Sequence, residues 1–243
     1  MAIPARALLI AVLTLTAAAT VAGGLVAAVY VSYGGPLLER LTVSIGEELM
    51  KEGLRYEEAG ARENAKERYT LALASRFEGP QNRTFVLKRL GVILWQEGDL
   101  EGAVGYLREA SERPTANINS FEPLCDALYG LGRSEEALAY IERWLAMATA
   151  QYDDAEWSAA KFHQGRIALA QDDEETAIEA FRQGNDARPG GRNAAELALL
   201  LYNKGRYEEA LPILDQYLSS GGVGGRAQYM RQVRARIVDA LGR

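Results

Sequence analysis

Paired acidic side chains are the most regular feature of this sequence that could carry chemistry. They occur at Glu135/Glu136, Glu174/Glu175 and Glu208/Glu209, each just before an alanine in a segment of helical periodicity. Two neighbouring carboxylates can share the work of a general acid and a general base. In the first turn of a helix, however, acidic residues stabilise the N-terminus through the helix dipole. Because the pairs recur at equivalent places, we interpret them as helix-start residues.

The sequence contains a single cysteine and a single histidine. One cysteine excludes an internal disulfide and a multi-cysteine zinc site, and one histidine leaves little material for a catalytic triad. Cys125 occupies a position that glycine fills in equivalent segments, so we expect it to serve packing. His163 would need carboxylates alone to complete a metal site. We therefore predict no catalytic residue, no metal and no cofactor.

Two features near the C-terminus could suggest binding of anions. The glycines between 221 and 225 precede a helix, but no strand comes before them and no Lys-Ser/Thr follows, so we expect a joint and not a phosphate loop. Five arginines lie between residues 226 and 243; they could suit an acidic partner or lipid headgroups, although a solvated basic face is the default. The net charge of −6 argues against nucleic acid as a partner.

The N-terminal segment is a candidate membrane anchor. From Ala7 to Tyr33 there are 27 residues without a charge, and as a helix they exceed the roughly 30 Å thickness of a bilayer core. A cleavable signal has an apolar core of only about 7 to 15 residues, and a buried soluble helix would show polar interruptions. We predict a tail at 1–6, an uncleaved transmembrane helix at 7–33 that ends before Pro36, and a linker at 34–45.

The orientation of this anchor is less strongly specified. Arg6 opens the apolar run and an acidic flank follows it, which favours a cytoplasmic N-terminus, an inner-membrane anchor and an exported, periplasmic body. A cytosol-facing body and a soluble exported protein after signal cleavage are the alternatives. Small residues four apart would let a second membrane helix approach closely, unless they only reflect a tolerant, alanine-rich anchor. The small residues are Ala19, Gly23, Gly24, Ala27 and Ala28.

After residue 45 the sequence repeats itself. In the segments starting at Gly53 and Gly91, a bulky residue follows three later, glycine seven later, alanine twelve later, a bulky residue sixteen later and alanine nineteen later. Three more segments start at positions 125, 165 and 198 with decreasing fidelity. The spacings indicate insertions between the first and second units and between the third and fourth.

This pattern resembles the tetratricopeptide repeat, a helix-turn-helix unit of about 34 residues. The resemblance implies an all-α solenoid of about five helical hairpins over residues 46–219. A glycine-rich joint at 220–225 and a capping helix at 226–243 would follow, since the last repeat needs its apolar face covered. The apolar residues of this cap recur at helical spacing: Met230, Val233, Ile237 and Leu241.

In this repeat family the first helices line a concave groove, and the register implies which residues point into it. Trp95, Tyr129, Phe162 and Tyr202 would form a ladder of aromatic anchors, although some of them could instead fill gaps between repeats. The Lys/Asn clamp of chaperone-binding members is not matched, because Val92 stands where asparagine is needed. The groove residues that we predict are Lys88, Trp95, Glu122, Asp126, Tyr129, Phe162, Arg166 and Tyr202.

These observations predict a membrane-anchored scaffold, an accessory or assembly subunit of a membrane protein complex. Its partners would be proteins, in the first place integral membrane subunits, and neither nucleic acid nor a small-molecule substrate is expected. An enzyme that uses carboxylates of the groove is the competing class. It would require a strongly perturbed Glu or Asp in a deep pocket.

Overall fold

The computed structural model describes residues 35–221 and 224–243, with side chains from residue 45 onward except at 222–224. All regular structure in these ranges is helical. The chain divides into two compact units, Met1–Val86 and Leu87–Arg243, and each is considered by itself.

The predicted anchor at 7–33 lies outside the described residues, and so does its small-residue face of Ala19, Gly23, Gly24, Ala27 and Ala28. Within the described ranges, no helix combines the length and the hydrophobicity that crossing a bilayer requires. The anchor and its orientation therefore stay predictions.

The first unit contains a helical hairpin of α1 (Gly35–Glu58) and α2 (Arg62–Leu73). The two helices pack closely because Gly53 meets the ring of Tyr69: a Cβ atom at this glycine would lie 2.6 Å from the ring. Tyr69 is fully buried, and its hydroxyl donates to the carboxylate of Glu57 at 2.9 Å. The small and bulky positions of the repeat pattern thus form the contact between the paired helices.

The segment predicted as a linker, 34–45, is helical from Gly35 onward. These residues belong to α1, which continues without a break into the first repeat. Pro36 lies in the first turn of this helix, where its missing N–H would have no partner and its fixed φ suits the helix. A Gly-Pro pair can start a helix as well as stop one, so the pair by itself does not mark a non-helical linker.

Nine further helices follow α2 in the described residues. They are α3 (Pro80–Glu97), α4 (Leu100–Glu112), α5 (Phe121–Gly130), α6 (Ser134–Gln151), α7 (Asp154–Ala170), α8 (Glu174–Ala187), α9 (Arg192–Asn203), α10 (Tyr207–Ser219) and α11 (Gly224–Ala240). From α4 onward each helix packs against the next along the chain, and α5, α7 and α9 also pack along one another, so these first helices of the third, fourth and fifth repeats form one layer. A short 3-10 turn at Ile118–Ser120 precedes α5.

The turn between the two helices of each repeat has the same backbone conformation. One residue, seven positions after the repeat start, adopts a left-handed φ between 58° and 85°. Glycine suits this conformation because it has no Cβ, and aspartate tolerates it better than most residues. The turn residues are Gly60, Gly98, Gly132, Asp172 and Gly205.

The irregular spacing between the third and fourth repeats has a structural cause. Helix α6 has 18 residues, whereas the equivalent helices α4 and α8 have 13 and 14. Trp144 of α6 stands where the pattern requires a small residue, and it is fully buried between Phe121 and His163, with ring centroids 6.4 and 5.6 Å away. The longer helix and the indole together accommodate the insertion.

Helix α11 covers the end of the fifth repeat by packing on α9 and α10. Ala227, Met230, Val233 and Ile237 on one of its faces are fully buried. Two arginines of this helix and one beyond its end form ion pairs with acids of the fifth repeat, so these cations are engaged within the chain. The pairs are Arg226 with Glu196, Arg234 with Asp215, and Arg243 with Glu208.

Candidate partner-binding face

Five of the predicted groove residues lie together on the layer formed by α5 and α7. Glu122, Asp126 and Tyr129 follow one another at spacings of four and three along α5, so they share one face of the helix. Phe162 and Arg166 lie four apart on α7. All five side chains are half-buried, so they are held in place and remain accessible.

Two arginines alternate with two aromatic rings across this layer. The guanidinium carbon of Arg166 lies 4.3 Å from the ring centroid of Tyr129 and 5.7 Å from that of Phe162. The guanidinium carbon of Arg192, on α9, lies 4.4 Å from the Phe162 centroid. These are cation–π distances, and they link the third, fourth and fifth repeats. We call Tyr129, Arg166, Phe162 and Arg192 the guanidinium stack.

Each guanidinium of the stack is oriented by a carboxylate of α5. Nη1 of Arg166 donates to Oδ1 of Asp126 at 2.6 Å, and Nη1 of Arg192 donates to Oε1 of Glu122 at 2.7 Å. Ion pairs that are this exposed add little to stability. Their effect is to fix the planes of both guanidinium groups against the aromatic rings.

His163 lies beneath the stack and is only 2% exposed. Its Nε2 lies 3.6 Å from Oε1 of Glu122, and its Nδ1 lies 3.6 Å from Oδ1 of Asp126. The rings of Trp144 and Phe162 flank the imidazole, each with its centroid 5.6 Å away. The imidazole thus fills the space behind the two carboxylates. Among the described residues no group of three or more His, Cys, Asp or Glu is arranged to hold a metal.

The electrostatics of this face favour charged recognition groups over acid–base catalysis. Interaction with the imidazole of His163, and then with the guanidinium of Arg192, lowers the pKa of Glu122 to about 2 despite partial burial. Its carboxylate is therefore ionised at neutral pH and cannot act as a proton donor. The pKa of Glu156 is raised by burial, an effect that the hydrogen bond from Nε1 of Trp144 at 2.8 Å partly offsets.

Cys125 does not provide a nucleophile to this face. Its side chain is fully buried, with Sγ 3.9 Å from the carbonyl oxygen of Ala137. Burial raises the pKa of the thiol, and the nearby carboxylates of Asp126 and Glu122 raise it further. A thiol of high pKa is a poor nucleophile because little of it is present as thiolate.

The acidic pairs lie in the first turns of α6, α8 and α10, which confirms their interpretation as helix-start residues. They also bind cations of adjacent turns and helices. Glu136 accepts from Arg133 at 2.6 Å, Glu174 from Lys204 at 2.6 Å, and Glu209 from Arg206 at 2.7 Å. These carboxylates therefore stabilise the helices of the repeats and the contacts between them.

Of the remaining predicted residues, Lys88 and Trp95 are on α3 and Tyr202 is on α9. Trp95 and Lys88 are half-buried on α3, where Trp95 packs against the core of the second and third repeats. The ring of Tyr202 packs against that of Tyr207, with centroids 5.7 Å apart. Among the described residues no ring–ring contact joins Trp95 or Tyr202 to Tyr129 or Phe162, and the expected ladder of four aromatic rings stays a prediction. Whether Lys88, Trp95 and Tyr202 contact a partner stays a prediction.

Sequence reasoning missed Arg192 and the position of His163. Arg192 is the first residue of α9 and lies six residues before the repeat start at 198, one helical turn before the positions taken from the repeat register. Extending the register by one turn could have found it. The position of His163 between two carboxylates of α5 depends on helix packing, for which the sequence holds no local signal.

Comparison with known proteins agrees with this architecture. A family model of the tetratricopeptide repeat matches residues 50–117 and 124–192, together more than half of the chain. The chain therefore belongs to the tetratricopeptide repeat family. Repeats of this kind form extended surfaces that bind other proteins, which makes the chain a protein-interaction scaffold in the general sense.

Solved structures show the same fold at low sequence identity. PilF of Pseudomonas aeruginosa is 21% identical, with a TM-score of 0.62 over 82% of this chain and 91% of that one. A tetratricopeptide repeat protein of Parabacteroides merdae is 22% identical, with a TM-score of 0.63 over 82% and 74%. YrrB, described as having an unusual peptide-binding site, is 17% identical, with a TM-score of 0.57 over 76% and 90%. No curated protein matches the sequence.

Proposed function

We propose that this protein is a membrane-anchored scaffold that holds a partner protein on the layer of α5, α7 and α9. It acts as an accessory or assembly subunit of a membrane protein complex, with its repeats on the exported side of the cytoplasmic membrane. The guanidinium stack is the observation that supports the binding role. It joins three consecutive repeats through partly exposed groups that can still bind a further molecule.

The stack has unused hydrogen-bonding capacity. Each guanidinium has five N–H groups, and the hydrogen bonds to Asp126 and Glu122 come from Nη1 alone. The other N–H groups can donate to backbone carbonyls or carboxylates of a bound chain. The rings of Tyr129 and Phe162 offer apolar contact beside them. Aromatic and arginine side chains are also the types that dominate protein interfaces.

The membrane part of the proposal depends on the sequence. The uncharged run from Ala7 to Tyr33 is long enough to span a bilayer, and its small-residue face would allow contact with a second membrane helix. An anchor also raises the effective concentration of the repeats near membrane partners. Two modest contacts, one in the membrane and one on the repeats, would then suffice for stable association.

The binding face is tested by exchanging one arginine for alanine in the full-length chain and measuring which membrane subunits co-purify in mild detergent. Arg192→Ala removes one cation of the stack, and we expect recovery of the partner to fall by about tenfold. Arg182→Ala is the matched control. Arg182 has a side chain 39% exposed, against 40% for Arg192, and it also binds a glutamate, Glu209. Equal loss in both variants, or none in Arg192→Ala, would refute the binding face.

Anchoring is tested separately. Extraction of membranes with alkaline carbonate should leave the chain in the pellet, and its intact mass should include residues 1–33. Reporter fusions at the C-terminus, one active only in the cytosol and one only outside, should show activity of the second alone. A soluble chain of reduced mass would contradict the anchor, and cytosolic activity would contradict the orientation, in both cases without bearing on the binding face.

A further inference from the structure

A second surface lies at the ends of α6, α7 and α8, where no predicted groove residue is found. The C-terminal end of α6, the first turn of α7 and the last turn of α8 line an open surface cavity of about 450 Å³. This volume is within the range of pockets that bind small ligands or single side chains of a partner. Its walls include Tyr152, Trp157, Asp153, Asp154 and Asp186.

The aromatic residues of this cavity are exposed to solvent to different extents. Tyr152 is 94% exposed, whereas the other large exposed apolar side chains of the described residues, Leu71 and Tyr229, are 43% and 47% exposed. Trp157, five residues later, is half-buried. Both aromatic side chains line the cavity, so each can offer a π face to a bound group.

Three aspartates give the cavity a negative charge. No lysine or arginine of the described residues forms an ion pair with Asp153, Asp154 or Asp186, whereas the acidic pairs at the starts of α6, α8 and α10 do form ion pairs. Asp153 uses Oδ1 to accept from the backbone N–H groups of Ala155 and Glu156, as a helix cap. The carboxylates of Asp154 and Asp186 are exposed.

The indole ring of Trp157 is already in contact with a cation of the same helix. Nζ of Lys161 lies 5.1 Å from the ring centroid of Trp157, and this ammonium donates to Oε1 of Gln164, not to the acids of the cavity. The contact shows that the indole is placed to attract positive charge.

We propose that this cavity docks a basic segment of a partner protein, with an arginine side chain between Tyr152, Trp157 and the aspartates. A guanidinium can stack on an aromatic ring while it donates to carboxylates in its own plane, so both features of the cavity favour the same group. Opposite charge also speeds the encounter between partners. This docking site is separate from the guanidinium stack and does not depend on it.

The test uses the full-length chain and a fluorescent peptide with several arginines, measured by anisotropy. A peptide in which citrulline replaces arginine keeps the shape and removes the charge, and we expect it to bind about tenfold more weakly. The double variant Asp154→Asn with Asp186→Asn should weaken binding of the arginine peptide to a similar extent. Glu142→Gln with Asp239→Asn is the matched control, since both residues are exposed and the net charge changes equally. This control should bind almost as the wild type does.

Tyr152→Gly separates recognition from folding. Glycine suits the φ of 54° at this position, so we expect unchanged or higher thermal stability together with weaker peptide binding. Equal binding of the citrulline peptide, undiminished binding by the aspartate variant, or an equal loss in the control would overturn the proposal. Self-association that the aspartate variant abolishes would assign the cavity to a second copy of this chain, and would overturn it too.

Discussion

A Cβ atom at Gly165 would lie 2.5 Å from Cε1 of Phe181, so the two helices of the fourth repeat meet with no room for a side chain at this point. The same relationship joins Gly91 to Leu107, at 2.6 Å from its Cγ. In both repeats the partners are sixteen residues apart, on the first and the second helix. This contact sets the separation of the paired helices and therefore positions the layer that carries the guanidinium stack.

Replacing Gly165 by alanine should destabilise the protein. Alanine is the better helix former by about 1 kcal/mol, but crowding the buried ring of Phe181 costs about 1 to 3 kcal/mol. We expect a lower midpoint in urea unfolding. Gly105→Ala is the control, because nothing lies within 4 Å of a Cβ at that helical position, and it should stabilise by up to about 1 kcal/mol.

A second substitution should relieve this crowding. The fifth repeat combines Ala198 with Leu214 at the equivalent positions, and both are fully buried. The double variant Gly165→Ala with Phe181→Leu should therefore lose less free energy of unfolding than the sum of the losses in the two single variants. A strictly additive result would show that the contact between the two side chains does not set the helix separation.

Trp144→Ala should be among the most destabilising substitutions. The indole is fully buried, and its removal leaves a cavity that costs about 3 to 5 kcal/mol. Trp144→Phe keeps much of the volume but loses the N–H that donates to Glu156, so we expect a smaller loss. Chemical unfolding followed by circular dichroism measures both. If the phenylalanine variant lost as much as the alanine variant, the volume of the indole would not be its main contribution.

Stability should depend on pH through Glu122. The folded-state pKa is lowered from 4.5 to about 2, so the ionised form stabilises the fold above pH 4.5, and this contribution is lost as the pH falls toward 2. The side chain is 41% exposed, so screening by solvent keeps the effect on the order of 1 kcal/mol. Glu122→Gln should flatten the dependence in this window, as measured by urea midpoints at several pH values. Glu142→Gln, an exposed glutamate of α6, should leave it unchanged; a flattening by both would contradict the assignment.

The thiol of Cys125 should react only when the protein unfolds. Burial raises its pKa and blocks access, so a thiol reagent should label the native chain slowly and the urea-unfolded chain rapidly. Because the chain has one cysteine, the measurement reports on this residue alone. A variant with Cys125→Ala and a cysteine at the exposed Ala146 should label rapidly when folded. Rapid native labelling of the wild type would show that the first helix of the third repeat opens readily.

The repeat architecture could be predicted from the sequence because its determinants are local. Each turn needs one residue of left-handed φ, which explains glycine at 60, 98, 132 and 205, and each pair of helices needs a small residue opposite a bulky one. These requirements recur at fixed spacing, so they are visible without a structure. Glu122, Asp126, Tyr129, Phe162 and Arg166 were found in the same way, from their places in the register.

Tertiary packing decided which of these residues act together. The approach of α5, α7 and α9 puts Arg166 and Arg192 within cation–π distance of Phe162 and places His163 behind two carboxylates, contacts between residues up to 70 positions apart. The cavity beside Tyr152 likewise forms only where the ends of three helices meet. Sequence periodicity specifies the face of each helix, because that depends on 3.6 residues per turn. Which side chains of neighbouring helices come into contact depends on helix lengths and crossing distances, and for this protein only the folded structure determines those.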